Sequence, residues 1–297
     1  YNLTNRAAVA TPFSSGDDLQ PFSGTAKQGD IDQFASKVGS AQYSTSITRV
    51  DAAKATAKLA QFMTNPSPQH LSAIDRVIIY LYHSRFLAIE YGIGSSLDPC
   101  ECASDASFAD NPGRKSSSGY LYQVFGGPVD WRASKQLTVT TSTTEAELLA
   151  LSDAARSAQY WDRLMKHLGF KSDIPVVIQC DNKQTVDLVL NANTKLHTKL
   201  RHIDIHNHWL RQEVESGRVN IKWVPTGRMA ADGLTKPLPR QKYEIFIKML
   251  GMRDIEAYID DWTATHVRFS VQTRYHDDLR TLRGCVGDVG VGGSEFD

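Results

Sequence analysis

The sequence predicts an α/β fold in which short strands and helices alternate, and three stretches carry that reading. Val176-Val177-Ile178-Gln179-Cys180 is a short, β-branched apolar run bounded by Asp181-Asn182 and a helix-like stretch, 183–190. A longer helix, about 144–168, repeats Leu151, Ala154, Ala158, Trp161, Met165 and Leu168 at steps of three or four residues. An alternating run, 219–224, stops at Pro225-Thr226-Gly227 and leads into a short helix that holds Asp232 and ends before Pro237 and Pro239.

The elements follow from the N-terminus. Residues 1–29 mix Ser, Gly, Asp and Pro and read as linker. Two helices follow, carried by Ala57, Leu59, Ala60 and Met63, then by Leu71, Ile74, Val77, Ile78 and Leu81, with Pro66 and Pro68 between them. A small-residue strand contains Asp105 and runs toward a turn at Asn111-Pro112-Gly113. Residues 119–125 alternate, Gly126-Gly127-Pro128 reads as a turn, and 129–131 and 136–140 supply further strand candidates. Ile203, Leu210 and Val214 mark a later helix, and 253–297 reads as a flexible tail ending in a Gly-rich stretch.

Four acids stand where these elements begin or end: Asp105, Glu147, Asp181 and Asp232. Asp181 sits at the carboxyl end of a strand, the usual ligand crevice of an open α/β sheet, although an isolated Cys-Asp-Asn also suits a solvated turn. Glu147 falls on the apolar stripe of its helix, where an unpaired charge is costly. A Thr144–Glu147 capping box would explain it, but Ser142 and Glu145 fit that pattern equally well, and Glu145 points about 200° away from Glu147. Glu145 can therefore cap, leaving Glu147 for another task. Carboxylates that converge from separate elements call for a cation between them.

The words around these acids are Ser104-Asp105-Ala106, Ser116-Ser117-Ser118-Gly119-Tyr120, Ser134-Lys135-Gln136, Thr144-Glu145-Ala146-Glu147, Cys180-Asp181-Asn182, His202-Ile203-Asp204-Ile205 and Asp232-x-Leu234-Thr235-Lys236-Pro237-Leu238. In this order and approximate spacing they resemble the ribonuclease H domain of copia-type LTR retrotransposon Pol polyproteins. The resemblance implies a mixed five-stranded sheet with helices on both faces over 98–252. It also implies a helical connecting segment at 30–97 that joins the domain to a reverse transcriptase in the parent polyprotein, by Asp51-Ala52-Ala53, Phe62-Met63-Thr64-Asn65-Pro66-Ser67, His70 and Tyr80-Leu81.

The same resemblance makes Asp105, Glu147, Asp181 and Asp232 the catalytic metal ligands of an endonuclease that cuts the RNA strand of an RNA/DNA hybrid. Two Mg²⁺ ions suit an all-oxygen site, with Mn²⁺ as the alternative ion. The other reading is a catalytically inactive or co-opted retroelement remnant that binds nucleic acid or protein. Two departures bear on it. The loop before Asp232, Pro225 to Ala231, has no His where cellular ribonucleases H carry a mobile one, and Arg228 is its cation. Ser107 and Phe108 stand where an acid and a Trp are common.

With 33 basic and 33 acidic residues, attraction to phosphate has to be local. Lys195, Lys199, Arg201 and His202 crowd one stretch and, with Asn182 and Arg228, are the candidate nucleic-acid contacts; a solvated helix face is the plainer account of such a run. His202 and His206 are four residues apart but lack a third ligand at metal spacing. Tyr258-Ile259-Asp260-Asp261 looks like the Tyr-x-Asp-Asp turn of polymerase palms, yet it follows the connecting helices instead of preceding them and reads as coincidence. No apolar run reaches membrane-span length and no signal peptide opens the chain, which starts at Tyr1 and reads as a fragment or processed product. Cys100, Cys102, Cys180 and Cys285 form no Cys-x-x-Cys pair, so reduced thiols and an intracellular site, cytoplasmic within virus-like particles or nuclear, are expected.

Overall fold

The computed structural model describes residues 3–14, 16, 19–92, 100–170, 175–191, 193, 194, 196, 198 and 200–259. Compactness divides the chain into 1–254 and 255–297, and only the first five residues of the second unit are described. Asp260 and Asp261 of the polymerase-like tetrad, and nearly all of the expected tail, lie outside the described residues.

The first unit contains a five-stranded mixed sheet. Its strands are β2 (Cys100–Ser107), β3 (Ser117–Val124), β4 (Gly127–Lys135), β5 (Val176–Cys180) and β6 (Val219–Trp223), following the short β1 (Leu87–Ile89) in the chain. They lie in the order β4-β3-β2-β5-β6, with β2–β3 and β3–β4 antiparallel and β2–β5 and β5–β6 parallel. Because successive side chains of a strand point to opposite faces, each strand feeds two cores. Cys102, Tyr122 and Ile178 pack under α4 (Thr143–His167), α5 (Lys183–Leu190) and α6 (Arg201–Glu215). Ala103 and Leu121 face the other way, against Val50, Ala53, Leu234 and Phe246. The mixed sheet with helices on both faces that the family resemblance implies is the architecture formed.

The second face is covered in part by α7 (Asp232–Thr235) and α8 (Arg240–Met249), and in part by the segment before the sheet. That segment holds α1 (Gln28–Ile47), α2 (Ala53–Ala60) and α3 (Pro68–His83), whose own core includes Phe34, Val38, Leu59, Ile74 and Val77. Phe13 and Leu19, within the stretch read as linker, are buried in that core. A buried polar network fastens the segment down. Arg49 donates two hydrogen bonds to Asp51 (2.9 and 2.7 Å), Tyr80 donates to the same carboxylate (2.5 Å), and the Tyr243 hydroxyl of α8 donates to the Asp51 carbonyl (3.0 Å). The Trp131 indole of β4 donates to the Thr45 carbonyl of α1 at 2.8 Å.

Two local readings need correction. The hairpin turn sits at Phe125-Gly126, both at positive φ (51° and 81°) as a two-residue primed turn requires, so Gly127 and Pro128 already belong to β4. Residues 129–131 fall inside β4, whereas 136–140 form no strand. There Leu137 and Val139 are exposed, and the Gln136 amide donates to Ser118 Oγ and to the Ala146 carbonyl, steering the chain from the sheet edge to α4.

After α8, β7 (Met252–Asp254) pairs with β1, Leu87 opposite Asp254 and Ile89 opposite Met252. No helix among the described residues is long and apolar enough to cross a membrane. Cys100, Cys102 and Cys180 are free thiols, and Cys285 lies outside the described residues.

Candidate metal centre

Asp105, Glu147 and Asp181 converge from three elements, each offering a carboxylate oxygen within 4.8 Å of the others. Asp105 is the sixth residue of β2, Asp181 directly follows the parallel neighbour β5, and Glu147 lies in the first turns of α4, which crosses both strands. Ser142 caps α4 by accepting from the Glu145 N–H, and Glu145 accepts from Thr141 N and Oγ1. Capping thus falls to Ser142 and Glu145, and Glu147 turns inward.

Its surroundings penalise charge. Glu147 is 5% exposed and its Oε2 has no hydrogen-bond partner. Burial, then the Asp105 and Asp181 carboxylates, push its pKa up to about 9. Asp105 is 1% exposed and is raised to about 6, chiefly by burial, with Lys236 and the hydrogen bond from Thr235 Oγ1 opposing the rise. Asp181 is half-buried and accepts from Thr226 Oγ1 at 2.7 Å. An all-oxygen, net-negative cluster with a buried orphan carboxylate oxygen is a donor set that fits a hard divalent cation.

Asp232 stands outside this trio. The Lys236 ammonium, one helical turn on, holds Asp232 Oδ1 at 2.6 Å and lies 3.4 Å from Asp105 Oδ2. The link between the fourth acid and the other three is therefore a lysine. Gly119 on β3 makes this possible: a Cβ there would stand 2.8 Å from Leu234 Cβ and 2.9 Å from Thr235 Cγ2, so only glycine lets α7 lie against the strand.

The Pol polyprotein of transposon RE1 from Arabidopsis thaliana is 34% identical over 252 residues, 84% of this chain and 17% of the polyprotein. The chain belongs to the retrovirus-related Pol polyproteins of copia-type transposons. This Pol segment spans less than a fifth of that relative's length. Secreted RxLR effector protein 161 from Plasmopara viticola is 40% identical over 126 residues, 42% of the Pol segment and 88% of the effector. A structure of LC11-RNase H1 in complex with RNA/DNA hybrid superposes with a TM-score of 0.36 at 16% identity, over 46% of this chain and 93% of that one. No family model matches.

The candidate nucleic-acid contacts of the Pol segment are dispersed. Asn182 caps α5, its Oδ1 accepting from Thr185 N. Arg228 is exposed in the turn that begins with Thr226. Arg201 is exposed at the start of α6, and His202 beside it is half-buried with Nε2 unpartnered. His206 Nδ1 meets Ser152 Oγ at 2.8 Å. Lys195 and Lys199 lie outside the described residues.

Four polar neighbours escaped the sequence reading: Thr226, Thr235, Lys236 and Lys54. Lys54, from α2, donates to Ser117 Oγ at 2.7 Å and sits 3.5 Å from Asp110. Burial lowers its pKa to about 8, Asp110 opposing. Thr235 and Lys236 were visible within the Leu-Thr-Lys-Pro word, but nothing in their spacing announced Asp105 as their partner.

Proposed function

We propose that this segment is a metal-dependent ribonuclease H that cuts the RNA strand of RNA/DNA hybrids, with Asp105, Glu147, Asp181 and Asp232 as its acidic ligands. The convergence of three carboxylates from β2, α4 and the end of β5 carries the reading. Two Mg²⁺ ions, or Mn²⁺ in their place, would be held by these acids and would supply Lewis acidity to a scissile phosphate and a lowered pKa to an attacking water.

The chain's own groups prepare that centre. Thr226 fixes the rotamer of Asp181 and Thr235 that of Asp105, so the oxygens are oriented before ligand arrives. Burial of Asp105 and Glu147 keeps water off one side of the cluster while Asp181 remains open to solvent. Arg228, Arg201, His202 and Asn182, with Lys195 and Lys199, are the proposed contacts to the hybrid, which is read through its A-form-like shape and 2′-hydroxyls. A reverse transcriptase in the parent polyprotein would supply the hybrid, and replication inside the cell, in cytoplasmic particles or the nucleus, is the setting.

The test is labelled RNA/DNA hybrid with Mg²⁺ or Mn²⁺, for the chain and for Asp181→Asn. Cleavage by the chain and loss in the variant is the expected result, while equal cleavage by both, or none by either, sinks the nuclease reading. The likeness to a protein named as an effector favours one other reading, a fold kept for binding nucleic acid or protein without turnover. Equal hybrid binding by both proteins with no cleavage would select it.

A further inference from the structure

Asp232 is kept out of the carboxylate trio by a specific contact. The Lys236 ammonium donates to Asp232 Oδ1 at 2.6 Å and approaches both Asp105 oxygens, at 3.4 and 3.5 Å. It thus occupies the space through which a cation would join Asp105 to Asp232. On the opposite side of Asp105 the trio with Glu147 and Asp181 contains no basic group, and Glu147 Oε2 is buried without a partner. One half of the acidic cluster is satisfied by the protein and the other half is left electrostatically open.

Resting on the assignment of the four acids as ligands, we propose that Lys236 is an internal counter-cation that makes the two metal positions unequal. A divalent ion enters the Asp105–Glu147–Asp181 half without displacing any protein cation, whereas an ion bridging Asp105 and Asp232 must first expel the ammonium. The inequality follows from charge. Two cations cannot share one pair of carboxylates at these distances, and the ammonium is already bonded there. Burial disfavours the charged form of Lys236, yet Asp105 and Asp232 hold it protonated above the usual lysine range. At 38% side-chain exposure, the ammonium also has a solvent-facing path along which to leave. The second position therefore fills only at high ion concentration, or when a substrate phosphate adds negative charge beside it.

The measurement is Mn²⁺ binding to the full chain by calorimetry, with bound ions counted by electron paramagnetic resonance, for wild type, Lys236→Met and Lys236→Arg, without substrate. Wild type and Lys236→Arg are expected to bind one ion at least about tenfold more tightly than a second. Lys236→Met should tighten the second by at least tenfold and change the first far less. Lys236→Gln, which keeps polar character, serves as a second neutral variant if the Met chain melts early. Two equal sites in wild type, or a second affinity unmoved in both neutral variants, overturns the proposal alone. Absence of Mn²⁺ binding in wild type overturns it together with the ligand assignment, and Asp181→Asn separates the two by removing the first ion only if that assignment holds.

Discussion

Replacing Glu147 with Gln should stabilise the metal-free protein, and the gain should grow with pH. The unfolded carboxyl titrates near 4.5, whereas in the fold burial and two neighbouring carboxylates raise it to about 9. Between those values the folded state binds the extra proton, so wild-type stability falls as pH rises through the window. Each unit is worth 1.36 kcal/mol, and pH 7 lies two and a half units above the unfolded value, a penalty of roughly 3 kcal/mol that the neutral amide escapes. The assay is urea unfolding in EDTA at pH 5, 6, 7 and 8. The free-energy gap between Glu147→Gln and wild type should open by about 1.4 kcal/mol per pH unit and close near pH 4.5. A gap independent of pH, or a variant less stable than wild type at pH 8, would refute the claim that Glu147 is a buried acid awaiting a cation.

Three further outcomes follow. Millimolar Mg²⁺ should raise the wild-type unfolding midpoint by mass action and move that of Glu147→Gln far less, which a melt with and without EDTA resolves. Arg49→Met should cost about 3–5 kcal/mol in urea denaturation, because it leaves the Asp51 carboxylate, 2% exposed, without its ion-pair partner. Gly119→Ala should destabilise by about 1–3 kcal/mol, since the new methyl group meets Leu234 Cβ and Thr235 Cγ2, and should weaken Mn²⁺ binding by lifting α7 from β3.

What was legible in the sequence is whatever local pattern determines. The β-branched run before Asp181 named a buried strand, and helix phase separated Glu147 from Glu145, since both depend on a fixed geometric period. The hidden parts depend on distant partners. The buried stripe of α1, Phe34, Val38, Ala41 and Thr45, was present at helical spacing but diluted by Ser, Gly and Gln, so the 20-residue helix went unread. Residues 136–140 have strand-like composition, yet the Gln136 amide ties them to Ser118 and Ala146 and forbids a ladder. Lys236 sits in a short motif whose proline-bounded helix was read correctly, while its placement beside Asp105 depends on the approach of α7 to Gly119.

The pairing of β1 with β7 has a mechanical consequence. Glu90 N–H donates to the Gly251 carbonyl at 2.9 Å, so the chain enters and leaves the five-stranded sheet at neighbouring points, through a clasp of three residue pairs. The strands are antiparallel and both outer ends lie at the Leu87–Asp254 pair. Tension applied at those two ends loads the clasp one rung at a time, Leu87–Asp254 first, in place of shearing all rungs together. The sheet is thus a closed loop of chain that yields first at its clasp, and a pull on the flanking segments would unzip three pairs before it reached the strands that carry Asp105 and Asp181.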